Sequence, residues 1–153
     1  MKLRKHGAFL CLFLALALCL AGCSPRTAVT EESFTAAMEA LGYTEQEMDA
    51  DSQAQATAGG METYRAYMAD GSGAAVYRLY SDAAAARSNY ASMIASMKDQ
   101  DVDKIKEVDS ATYNRAEYSA SGARLVLVRT DGMLLTVNGT ESDVESVLKQ
   151  LGL

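Results

Sequence analysis

Cysteine and histidine are the side chains best suited to thiolate, imidazole or soft-metal chemistry. This chain of 153 residues has three cysteines and one histidine. All four fall in its first 23 positions: His6, Cys11, Cys19 and Cys23. Beyond Cys23 there is no thiol for a disulfide, a zinc thiolate or a nucleophile. Nor is there an imidazole for a Ser-His or Cys-His pair. Oxygen chemistry is what remains. Asp99, Asp101 and Asp103 alternate like the opening of an EF-hand loop. Such a loop needs Gly at its sixth position and Glu at its twelfth. Here those positions hold Lys104 and Ser110, so a solvated connector is the expected reading.

Carboxylates recur in pairs at Glu31/Glu32, Glu45/Glu47 and Asp49/Asp51. Acid–base catalysis needs two carboxyl groups in contrasting environments. These lie in polar stretches where nothing would set them apart. Ser96 and Lys98 stand two apart on a helical pattern, and such residues do not face each other. Gly71-Ser72-Gly73 sits between two strand patterns and reads as a turn rather than a phosphate loop. Asn138-Gly139-Thr140 has the form of a glycosylation sequon but reads as a turn leading into a helix cap. These patterns predict no catalytic residue, no cofactor and no metal ligand.

The elements that carry these residues are legible from periodicity. A short basic head, Lys2, Arg4 and Lys5, precedes an unbroken apolar run from Ala8 to Leu20. That run is too short to cross a bilayer core of about 20 apolar residues and fits the hydrophobic region of a secretory signal. It ends in Leu20-Ala21-Gly22-Cys23. This end resembles the lipobox of bacterial lipoprotein signal peptides. The resemblance implies cleavage between Gly22 and Cys23 and a diacylglyceryl group on the Cys23 sulfur. Two acyl chains give stable anchoring where one gives marginal binding. The basic head stays on the cytoplasmic side, so the mature domain is expected on the extracytoplasmic face of the cell membrane. Residues 1–22 are then the signal peptide, 23–29 a lipidated tether, and 30–153 a single domain.

Cleavage removes three of the 14 basic residues and leaves all 20 acidic ones, a net side-chain charge of −9. Such a charge disfavours nucleic acid and anionic lipid. Within the domain, Thr30 opens a helix carrying Phe34, Ala37, Met38 and Leu41. Most of Thr44 to Gly60 reads as a mobile connector, with Thr44-Glu45-Gln46-Glu47 suited to cap a short helical turn. Met61–Met68 and Ala74–Tyr80 read as strands, and Ser81-Asp82 caps a helix with Ala83, Ala86, Tyr90, Met93, Ile94 and Met97 on one stripe. Asp99 to Glu107 reads as a charged connector. Strands follow at Thr112–Ser119, Leu125–Val128 and Met133–Val137, with turns at Ser121-Gly122 and Asp131-Gly132. Thr140 and Asp143 cap a last helix. The expected fold is α+β: an antiparallel sheet of about five strands, helices packed on one face, and a helix in front.

With the helices on one face, the other face must be wet or covered by a partner. Tyrosines suit such a face, because a flat apolar ring ends in a polar tip. Tyr77 and Tyr118 are the residues expected to form it. The domain resembles the small lipoproteins of Gram-positive bacteria that have no assigned function. That resemblance implies a non-enzymatic binding or accessory module of the cell envelope, with an envelope protein or surface component as partner. The alternative is a lipoprotein that captures a small molecule or a metal. A hydrolytic enzyme comes third.

Overall fold

A computed structural model of the protein describes residues 28–71, 73–98 and 100–153. In chain order the elements are α1 (Glu31–Ala40), β1 (Thr44–Gln46), α2 (Ala50–Ala58), β2 (Met61–Met68), β3 (Ala74–Tyr80) and α3 (Ala83–Lys98). Then come β4 (Asp103–Asp109), β5 (Tyr113–Ala120), β6 (Ala123–Thr130), β7 (Met133–Thr140) and α4 (Glu141–Gln150). One sheet of seven strands runs β1-β2-β3-β7-β6-β5-β4, and every neighbouring pair is antiparallel.

The expectation of about five strands is thus corrected to seven, and helices on one face to helices on both. The two additional strands are the outermost ones. β1 is three polar residues, all exposed, and β4 has six exposed residues of seven. An edge strand with little to bury carries no alternating apolar pattern, so each reads as connector. The segment expected as a mobile connector from Thr44 to Gly60 contains β1 and α2.

Helices on both faces follow from strands that are apolar on both sides. In β6, Val126 and Val128 belong to one core and Leu127 to the other. In β7, Met133 and Leu135 face one side and Leu134 the opposite one. Side chains alternate across a sheet, so a continuous apolar run needs cover above and below. On one face α1 supplies Phe34, Ala37 and Met38, and α4 supplies Val144, Val147 and Leu148. On the other, α3 supplies Ala86, Tyr90 and Ile94 over Tyr80, Ala116, Tyr118, Leu127 and Leu134. Each such aliphatic side chain contributes about 1.5–3 kcal/mol when fully buried. Val29, at the end of the expected tether, is packed into the first core.

Local chemistry fixes the ends of these elements. Thr30 and Ser33 form a capping box at α1, and Thr140 and Asp143 form another at α4. Asp82 accepts the Ala85 amide at the start of α3. At the β5–β6 turn Ser121 and Gly122 both have positive φ, 50° and 82°, as a two-residue turn matching the sheet twist requires. At the β6–β7 turn a Cβ on Gly132 would stand 2.9 Å from the Tyr80 carbonyl oxygen. Glycine lets the end of β3 close on this turn, where the Tyr80 amide donates to the Gly132 carbonyl.

Candidate functional site

The lipidation residue Cys23 and the cleavage position Gly22 lie outside the described residues. So do Ser72 of the β2–β3 turn and Asp99 of the alternating aspartates. Asp101 and Asp103 are exposed. No group of three or more His, Cys, Asp or Glu among the described residues is placed to hold a metal ion.

Tyr77 and Tyr118 do not form one surface. Tyr77 is 3% exposed in the core under α1, and Tyr118 is 5% exposed in the core under α3. The expected tyrosine face is corrected accordingly. Once helices cover both faces, tyrosines on either side become packing residues. Phe34 of α1 stacks on Tyr77 at 5.5 Å and meets Tyr67 edge-on at 5.7 Å, geometries worth about 0.5–1.5 kcal/mol beyond area burial. Burial pushes the Tyr77 hydroxyl pKa up, and the charge of Glu31 adds to it. Burial also raises that of Tyr118, with Glu107 contributing.

The paired carboxylates are divided among separate tasks. Glu31 and Glu45 both reach Arg65, at 2.8 and 3.3 Å. Asp49 caps α2 by accepting the Ser52 amide, and that bond holds its carboxyl below the usual range. Ser96 donates to the Met93 carbonyl within α3.

A buried charge cluster has no counterpart in the sequence reading. Glu117 is 3% exposed. One carboxylate oxygen accepts from Arg115 at 2.7 Å and the other from Arg124, which also reaches Glu141 of α4. Burial alone would push this carboxyl up; the bonds and charges of Arg124 and Arg115 outweigh it and hold it below the ordinary value. With both oxygens occupied, Glu117 is placed as a structural anion rather than a proton donor. On the other face Arg129 is fully buried. It donates to the Asn114 side chain and to the carbonyls of Asp131 and Ala111, at 3.1 and 3.0 Å for the last two. It thereby ties the β4–β5 and β6–β7 turns together.

The sheet is open along part of one side. β1 pairs only with Ala66, Tyr67 and Met68 of β2. Outside Met61–Arg65 the described residues place no strand, because the chain turns away into α2. A bulge at Glu62 leaves Thr63–Arg65 as the regular stretch of that edge. A cleft of about 400 Å³ lies there, between β2, the end of β1 and α2. Glu45, Glu47, Glu62 and Arg65 are its charged residues, and Gln53 and Thr57 of α2 form the far wall. Among the described residues Glu47 and Glu62 make no ion pair. The opposite side of the sheet differs. β4 carries a bulge at its middle, at Ile105, between Lys104 and Lys106, and charges of both signs guard an edge against pairing. A second recess, about 500 Å³, opens at the end of α3 and is lined in part by Met97, Val102, Tyr118 and Leu125.

No family model matches the chain, and no curated protein matches it. Among solved structures, a GTP binding regulator from Thermotoga maritima is 13% identical, with a TM-score of 0.49 over 80% of this chain and 84% of that one.

Proposed function

We propose that this chain is a lipoprotein anchored through Cys23 on the extracytoplasmic face of a bacterial cell membrane, where it serves as a non-enzymatic binding or accessory module of the envelope. The N-terminal pattern ending in Leu20-Ala21-Gly22-Cys23 supports the address. The observation that carries the binding role is the open edge of β2 at Thr63–Arg65, which lines a cleft instead of meeting a neighbour. Unpaired strand backbone offers a row of donors and acceptors to an extended segment of another protein. Confinement to a membrane raises the effective concentration of such an edge for a partner in the same layer.

Photo-crosslinking in native membranes tests this reading. A photoreactive residue at position 63 should give one discrete adduct that the same residue at position 149, on α4, does not give. Cys23→Ala should abolish both lipid labelling and the adduct. Equal adducts from both positions, or lipid labelling that survives Cys23→Ala, would sink it.

Capture of a small apolar molecule is the second reading, favoured by the recess beside Met97, Val102, Tyr118 and Leu125. A ligand there should raise the melting temperature, and Leu125→Glu should cancel the rise. A rise that persists in Leu125→Glu would place the ligand elsewhere.

A further inference from the structure

We infer that the open edge of β2 takes a cationic, extended polypeptide segment, which adds as a short strand alongside Thr63–Arg65 in line with β1. This rests on the binding role proposed above and specifies the chemistry of the occupant.

Two independent features select it. The first is backbone. β1 covers β2 at Ala66–Met68 and stops, so a guest strand would continue the same line against Thr63–Arg65. The wall it meets is lightly built. α2 buries no side chain, so little apolar contact holds it against the sheet. The second is charge. Residues 28–70 carry nine carboxylates and one cation, Arg65, whereas residues 71–153 carry eleven and nine. Arg65 is already engaged by Glu31 and Glu45. Glu47 and Glu62 remain in the cleft with their charges uncompensated. A guest bringing Lys or Arg meets complementary potential on arrival, and an acidic guest is repelled. In a strand every second side chain points to the same face. A segment alternating basic with small or β-branched residues would set its charges on one side of the edge while its backbone pairs with β2.

The test uses the full mature lipidated protein in detergent. The probe is a synthetic peptide of about ten residues, the length of a long strand, alternating lysine and threonine. Fluorescence anisotropy should report binding that weakens as salt is raised. Glu47→Lys combined with Glu62→Lys, both exposed positions, should weaken it about tenfold or more. Methylating alternate backbone nitrogens of the peptide should abolish binding to the unaltered protein, since it removes the donors a strand needs. Bound peptide should also slow exchange of those amides among residues 63–65 that point away from β3. Binding unchanged by backbone methylation, binding unchanged by the double substitution, or no binding at low salt would each overturn the inference. The two proposals part company in the crosslinking result. A discrete adduct from position 63 with no affinity for the lysine peptide leaves the envelope role standing and removes the cationic strand. Peptide binding with no adduct in membranes does the reverse.

Discussion

Glu117 holds a full negative charge where water scarcely reaches, and two guanidinium groups make that tolerable. Removing one partner from such a cluster leaves the others stranded, at a cost of about 3 kcal/mol or more. Glu117→Ala should lower the unfolding free energy in urea by about that amount. A loss well under 1 kcal/mol would mean that Arg115 and Arg124 find solvent easily. The same residue predicts a pH dependence. Its carboxyl is depressed in the folded state, so its contribution is full above the unfolded value of about 4.3 and is lost as pH falls through the folded one. The urea midpoint should decline below about pH 4, and the decline should be shallower in Glu117→Gln. An equally steep decline would assign it to other carboxylates. Neither this cluster nor the Arg129 anchor was legible in the sequence. The partners of Glu117 include Arg124 across a hairpin and, through it, Glu141 on the last helix. Arg129 binds carbonyls of two separate turns, and carbonyls have no identity in a sequence.

Elements that bury an apolar face were the legible ones. α1 and α4 start at the threonines that cap them, and the β6–β7 turn lies at Asp131-Gly132, with Thr130 paired to Met133. What escaped were β1, α2 and β4, elements that bury little. β4 has charges on most positions, and β1 and α2 bury no residue at all. β1 and β4 exist because a neighbouring strand offers hydrogen bonds, which a single segment cannot announce, and α2 rests on its own backbone bonds and the Asp49 cap, with no apolar stripe to mark it. The five-strand, one-faced expectation failed for this reason, and also because the continuous run in β6 signals cover on both faces. The difference in burial predicts a difference in persistence. Amides of residues 54–58 in α2 should exchange far faster than those of residues 145–149 in α4, because α2 opens without disturbing a core. Comparable protection in the two helices would show that α2 is held by more than its visible contacts, and would weaken the view of it as a yielding wall of the cleft.

At the scale of the molecule the sheet is a shared partition between two cores, and α4 closes the larger one. Val144, Val147 and Leu148 are fully or almost fully buried. At about 1.5–3 kcal/mol each, their loss approaches the 5–15 kcal/mol that separates a typical domain from its unfolded state. Deleting residues 141–153 should therefore abolish the near-UV circular dichroism of the tyrosines and produce dye binding to exposed apolar surface. A cooperative melt in the truncated chain would refute that. The strand order carries a further consequence, one of timing. β7 is the middle strand of seven yet the last to be made, and it alone joins β1–β3 to β4–β6. A chain delivered amino end first must hold its early hairpin open-sided until residues 133–140 arrive, so the sheet is completed in a single late step. An anchor near the amino end would fix the chain in place before that step. A domain so anchored would mature while already tethered, and an interruption before residues 133–140 would leave β1–β3 and β4–β6 unjoined.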